Sequence, residues 1–409
     1  MPVLTLDDLL KQAWENPGTL FNWHFFDYTR RVLTDALVRG WKYQRPNNLA
    51  GNFLNLAGGE YLLEIGDIGI EYGSEDRLTA QMMELNLFKF SASKSLAMAN
   101  KLNGHLKDSA SFAEFSKKAT ADKEIAAFNL HYLETEYNFA WSVGQNAANY
   151  HRMMGIKDVY PSWIYRTQAD TRVRESHRVL EGRTFKAGDP AIDVIYPPNG
   201  WGCRCYIEPS TITPDSYDDP DKAIGSLGKE YENMQKHGFD INRAKANVVF
   251  DANKMYVNNV FGQKTGIKDN AATPYEKMEQ DAMPVLEAKE RTAEWAKEWH
   301  SVHVKDGFLK DYAGRELIFN KATLESHLKE NRPSLIEFIP EILSKPDEVW
   351  FFKDNQNGKL KLRYISYYKD KPLNVVIELD KMKLNSWYDI DTNKIDTNVR
   401  NGFLIKKNL

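Results

Sequence analysis

Cysteine is nearly absent: of 409 residues only Cys203 and Cys205 carry a thiol. A disulfide framework is excluded, because a bridge between cysteines one residue apart closes a strained small ring, and a cytosolic history is expected. No uninterrupted apolar run approaches the roughly 18 to 20 residues that span a bilayer. The start, Met1-Pro-Val-Leu-Thr-Leu-Asp7-Asp8, lacks the basic residues and apolar core of a secretory signal, so a soluble chain with no membrane partner is expected. An excess of one charge is lacking too. Lys plus Arg number 54 against 57 Asp plus Glu, a formal net charge of -3, which argues against a nucleic-acid coat or a protein spread on an anionic membrane. From Ser301 onward 19 Lys and Arg face 16 Asp and Glu, a mild basic excess that favours polyanions in that part only.

What is present is apolar residue enough, 42%, for two or three cores. The first half reads as helix. Phe25, Tyr28, Val32, Ala36 and Arg39 recur at helical spacing with Gly40 placed to end the segment, and a second helical block runs from about Ser91 to Met154. Residues 47 to 75, rich in Gly and Asn around Tyr61-Leu-Leu-Glu-Ile65, take no firm assignment. After Pro161 comes a turn-dense stretch, Tyr196-Pro-Pro-Asn-Gly-Trp-Gly-Cys-Arg-Cys205, which can be neither helix nor central strand. Residues 209 to 226 read as a linker, and Tyr275 to about His300 as a helical spacer interrupted by Pro284. The last hundred residues change period. Lys321 to about Ser344 predicts a helix, and Asp347–Phe352, Leu360–Ile365, Leu373–Leu379 and Gly402–Ile405 predict strands joined by hairpin turns, hence an antiparallel meander. The fold class is α+β: a mostly helical N-terminal part followed by a domain of helix plus a four- to five-stranded antiparallel sheet.

Two constellations carry chemistry. If residues 167 to 181 are helical, Asp170, Arg174 and His177 fall near one face, with Asp170 and Arg174 at ion-pair spacing. His177 can then meet Cys203 and Cys205, giving three ligands that Zn²⁺ favours, with Asp170 or a water as the fourth. A structural reading stands beside it: buried thiols, a hydrogen-bonded histidine and an ion pair holding a helix to a loop. In the C-terminal part, metal-independent RNA cleavage would need a base for the ribose 2′-hydroxyl, an acid for the leaving 5′-oxygen, and cations for phosphate charge. His327, Lys361, Arg400, Ser386 and Tyr388 are the residues of suitable type, with Arg363 and Tyr367 alternating along the strand of Lys361. Solvated strand cations and aromatic core packing are the plain alternatives.

The run Trp163, Thr167, Asp170-Thr-Arg-Val-Arg174, His177, Leu180, Gly182 and Pro197-Pro-Asn-Gly-Trp-Gly-Cys-Arg-Cys205 resembles the motif of phage Mu F-like (SPP1-type head morphogenesis) minor head proteins. Lys89-Phe-Ser-Ala-Ser-Lys94 and Leu133-Glu-Thr-Glu136 are similar to the helical part of that family. The resemblance implies a virion protein made in the bacterial cytoplasm, acting in head assembly with portal and capsid proteins. Ser326-His-Leu328, Ile342 to Trp350, Val375-Val-Ile377 and Arg400-Asn-Gly-Phe-Leu-Ile405 resemble phage toxin domains of the barnase, EndoU, colicin E5/D and RelE-like fold. That resemblance implies an endoribonuclease acting on tRNA or other structured RNA, an immunity protein as partner, and delivery into a host cytoplasm. Its rivals are a docking module and an enzyme of another class. The expected domains are an N-terminal helical region at 1–88, the Mu F-like module at 89–208, a linker with helices at 209–299 and the nuclease-like domain at 300–409.

Overall fold

The computed structural model describes residues 5–43, 75–128, 130–262, 264–328, 332–369 and 371–407. Most of the stretch at 47–75, including Tyr61 to Ile65, lies outside them. The chain divides into two compact units, each assembled from separated segments.

The first unit draws on Tyr28–Lys94 and Ala113–Asn258. Its frame is drawn from three long helices: α2 (Trp23–Lys42) from Tyr28 onward, α3 (Glu75–Lys107) as far as Lys94, and the whole of α6 (Leu130–Gly155). The shorter α4 (Phe112–Ala121) and α5 (Lys123–Phe128) precede α6, while α1 (Leu6–Glu15) falls mostly in the second unit. On α2, Val32, Leu33, Ala36 and Leu37 form a buried stripe, as the 3.6-residue period dictates. Acidic Glu75 and Asp76 open α3, where they favour the positive end of the helix dipole. The single helical block expected from Ser91 to Met154 is thus four helices, the first beginning well before Ser91. Helix α2 runs past Gly40, and the reason is packing. A Cβ at Gly40 would lie 2.0 Å from the Trp141 carbonyl oxygen of α6, and one at Gly144 would lie 2.3 Å from the Leu37 carbonyl oxygen.

Against this frame sits a small antiparallel sheet of order β2-β1-β3, made of β1 (Ser162–Arg166), β2 (Thr184–Lys186) and β3 (Tyr206–Ser210). Trp163, Tyr165, Phe185 and Ile207 are buried, joining the core built on α2 and α6. The helix expected across 167–181 is one turn, α7 (Glu175–Arg178), preceded by bends. Residues 209 to 226, read as linker, hold the end of β3 and α8 (Pro220–Ser226), whose N-cap Asp219 accepts from the backbone of Asp221 and Lys222. Helices α9 (Lys229–His237) and α10 (Arg243–Ala246) complete the unit.

The second unit draws on Leu9–Asp27, Ser95–Phe112 and Asn259–Leu409. Its sheet has seven strands in the order β10-β6-β7-β8-β9-β5-β4. The four expected strands are β6 (Glu348–Lys353), β7 (Leu360–Ser366), β8 (Leu373–Glu378) and β10 (Phe403–Lys407), and β9 (Lys383–Asp389), which the sequence did not predict, joins them. Strand β10 lies at the edge beside β6, and all five are antiparallel to their neighbours in this group. The short hairpin β4 (Phe308–Lys310) and β5 (Glu316–Ile318) extends it, with β5 parallel to β9. The sheet is therefore larger than expected and mixed. The expected helix at 321–344 is broken into α12 (Lys321–Glu325), α13 (Arg332–Leu335) and α14 (Ile339–Ser344), the last with Pro340 in its first turn, where a missing N–H costs nothing. The expected spacer at 275–300 is two 3₁₀ turns followed by α11 (Ala293–His303), capped by Thr292.

Candidate functional site

In the first unit the backbone turns that replace the expected helix bring His177 under the loop of Cys203 and Cys205. Nδ1 of His177 stands 3.7 Å from Sγ of Cys203 and 3.7 Å from Sγ of Cys205, and the three donor atoms lie within 4.8 Å of one another. All three side chains are buried. The loop is pinned to α6, where Ser142 donates to the Cys203 carbonyl at 3.2 Å and Asn146 to that of Cys205 at 3.5 Å. Glu230 of α9 places a carboxylate oxygen 3.5 Å from His177 Nε2. Sequence reasoning missed Glu230, because a carboxylate on a separate surface helix carries no local signal.

Charges in this cluster interact strongly. A hydrogen bond from the Cys205 thiol, helped by His177, brings the Cys203 pKa well below the ordinary thiol range despite burial, while the same coupling and burial raise that of Cys205. Burial opposes protonation of His177, but the hydrogen bond and charge of Cys203 outweigh it and raise its pKa. Asp170 stands apart from the cluster. Its carboxylate accepts from Arg204 at 2.7 Å, which holds its pKa down at about 2, and it lies 3.7 Å from Arg172. The expected Asp170–Arg174 pair does not form, since no helix spans both residues; Arg174 instead donates to the Trp201 carbonyl.

In the second unit, strand register sorts the candidate catalytic residues. Lys361 and Arg363 lie two apart on β7 and share a face. Arg363 is opposite Val376, and Val376 opposite Ser386, so Ser386 and, two residues on, Tyr388 project from that same face. Lys361 pairs with Asp354 at 2.5 Å. The Arg363 guanidinium lies 4.3 Å over the Phe352 ring, bonds the Val399 carbonyl and interacts with the Tyr388 hydroxyl. Burial lowers the Arg363 pKa, and its Nε is buried without a hydrogen-bond partner among the described residues.

His327 is not in this group. Its ring lies 5.6 Å from that of Trp387, whose side chain projects from the opposite face of β9, and its Nδ1 is 2.8 Å from both the Thr323 carbonyl and the Ser326 hydroxyl. Arg400 is fully buried and makes four hydrogen bonds. It meets Glu348 through Nε at 2.9 Å and Nη2 at 2.5 Å, and through Nη1 it donates at 2.7 Å to both Asp396 and the Thr273 carbonyl. Burial works against its charge, yet Glu348 outweighs this and raises its pKa. Such a guanidinium braces β6 and the chain before β10, its Nε–Nη2 edge already taken by the Glu348 carboxylate. Which cations are already committed depends on partners distant in sequence, such as Glu348, 52 positions from Arg400, so residue type alone cannot separate Arg400 from Arg363.

Comparison with known proteins assigns both regions. Residues 97–208 match the family described as Phage Mu protein F like protein, and residues 294–406 match phage-Barnase-EndoU-ColicinE5/D-RelE like nuclease2. The chain is 44% identical over 63 residues to the Mu-like prophage FluMu F protein of Haemophilus influenzae, covering 15% of each chain. It is 38% identical over 85 residues to the putative capsid assembly protein F of Escherichia phage Mu, covering 21% of this chain and 19% of that one. The matched stretches thus span under a fifth of these relatives' lengths. No solved structure matches the chain significantly. Among the described residues no helix is long and apolar enough to cross a membrane. Together the matches identify a chain that joins a Mu F-like region at residues 97–208 to a domain like the phage Barnase–EndoU–ColicinE5/D–RelE nucleases at residues 294–406.

Proposed function

We propose that this is a phage or prophage head protein, carried in the virion near the portal, whose C-terminal domain cleaves RNA without a metal. The head assignment rests on the likeness to Mu-type F proteins, one of them named a putative capsid assembly protein. Portal and capsid proteins are then its assembly partners, and a separate immunity protein would restrain the nuclease in the producing cell.

The observation that carries the nuclease reading is Arg363. A buried guanidinium whose Nε has no hydrogen-bond partner among the described residues sits beside Lys361, Ser386 and Tyr388 on one sheet face, a set that supplies positive charge, a phenol and a hydroxyl without calling on His327. In the cleavage step the ribose 2′-oxygen attacks phosphorus and the P–O5′ bond breaks. The 2′-proton leaves to a base and the 5′-oxygen gains one from an acid. Arg363 and Lys361 offset the charge of the five-coordinate phosphorus, Tyr388 is the proton-transfer group of this face, and Ser386 hydrogen-bonds the phosphate.

The test is incubation of the full chain, in EDTA, with total RNA and separately with tRNA. Discrete fragments are expected, falling at least about 100-fold in rate in Arg363→Ala and Tyr388→Phe, the scale of losing one transition-state or acid–base group. His327→Ala is expected to retain most activity. Intact RNA under all conditions, or fragments unchanged in Arg363→Ala, would reject this reading of the site. Mass spectrometry of purified virions checks the head assignment independently.

A further inference from the structure

We propose that His177, Cys203 and Cys205 bind one Zn²⁺ ion in the first unit, with solvent at the fourth coordination position. The proposal stands whether or not the C-terminal domain cleaves RNA. Bonds of about 2.3 Å to sulfur and about 2.0 Å to nitrogen, meeting at a tetrahedral angle, separate S and N by roughly 3.6 Å. The two observed separations are 3.7 Å. An ion therefore fits among the donors with little side-chain movement, and two thiolates with one imidazole are a set that suits zinc over magnesium or calcium.

A second observation comes from the far side of the ring. His177 is 2% exposed, its Nε2 makes no hydrogen bond among the described residues, and a Glu230 oxygen lies 3.5 Å away. Metal bound at Nδ1 fixes the proton on Nε2 and makes that N–H a stronger donor, which draws a nearby carboxylate into contact. Glu230 is thus a positioning residue for the histidine, while Asp170, held by Arg204, is not a ligand. The loop carbonyls tied to Ser142 and Asn146 hold the sulfurs in place before an ion arrives. A pocket of about 210 Å³ lined by Arg172, Arg174 and Trp201 adjoins the donors and has room for water. Binding forms two Zn–S bonds and one Zn–N bond, and the thiol protons leave to solvent.

The experiment is metal analysis of the full chain, produced with zinc in the medium and purified without chelators. About one zinc per chain is expected, replaceable by Co²⁺ with the visible bands and thiolate charge-transfer absorption of a tetrahedral sulfur site. Cys203→Ser/Cys205→Ser should lose the ion, and Glu230→Gln should keep it with affinity about 10- to 100-fold weaker in chelator competition. Should the double-serine chain fail to fold, the cobalt spectrum and chelator titration of the unaltered chain decide the matter. Zinc near zero with no cobalt bands in a folded chain overturns the proposal. Undiminished zinc in a folded double-serine chain places the ion elsewhere and overturns it equally.

Discussion

Lys94 and Glu136 meet at 2.5 Å with both side chains almost wholly out of water, and Tyr256 adds a 2.7 Å hydrogen bond to the second carboxylate oxygen. Stripping water from two charges costs several kcal/mol per ion, which only a well-formed partner offsets. Glu136→Ala is therefore expected to destabilise the first unit by about 3–5 kcal/mol. Lys94→Met/Glu136→Leu should cost far less, and Tyr256→Phe about 1 kcal/mol. Urea unfolding followed by a probe in this unit checks the order, and equal losses in the single and double variants would contradict it. The segments holding both residues were readable as parts of one helical family pattern, but their meeting was not, because sequence period reports which face is inward and not which helix it faces. The same limit separates the thiol cluster from its surroundings. Cys203 and Cys205 announce themselves by spacing and His177 shares their motif, whereas Glu230 and the Asp170–Arg204 pair emerge only when loops are closed in space.

Length alone did not make an element legible: β9 is as long as β7 yet carries no strand signal, and the long α3 begins well before the block expected from Ser91. The strands β6, β7, β8 and β10 alternate or run apolar between clear turns, and each was found near its observed place. The three strands of the small sheet have five, three and five residues, too few for a period to stand out, and they owe their pairing to Trp163, Tyr165 and Phe185 reaching a helical core. Gly40 misled for a different reason. Glycine ends helices when it takes a left-handed conformation, but here it remains in α2 and admits the backbone of α6, with Gly144 doing the reciprocal service. Because the colliding atoms are main-chain carbonyls, a methyl group cannot be absorbed by a side-chain rotation. Gly40→Ala and Gly144→Ala are each expected to cost about 1–3 kcal/mol as overpacking, overriding the gain of about 1 kcal/mol that alanine brings to an exposed helix. Thermal unfolding of the two variants measures this, and a raised midpoint in either would mean that the helices stand further apart than described.

At the scale of the whole molecule, the nuclease-like match begins at residue 294, yet the second unit begins its last segment at Asn259 and also holds Leu9–Asp27 and Ser95–Phe112. The residues between 259 and 294 are bound to the sheet at its β10 side. Asn270 donates to the Gly402 carbonyl at 3.0 Å and accepts from the Leu404 amide at 2.6 Å, and the Tyr275 amide donates to Asp396 at 2.9 Å. Thr273 takes one of the two Nη1 bonds of the buried Arg400. Phe21 stacks edge-on against Phe403 at 4.9 Å, and Phe261 lies 5.7 Å from the same ring. A fragment starting at 294 would strip these partners from β10, expose Phe403 and leave the Arg400–Glu348 pair open to water. A fragment from 259 would restore all but Phe21. Hydrogen exchange is expected to rank β10 amide protection as full chain, then 259–409, then 294–409, while β7 and β8, central in the sheet, change least. Equal protection of β10 in all three would mean that the matched domain is self-sufficient and that the preceding segment only lies upon it.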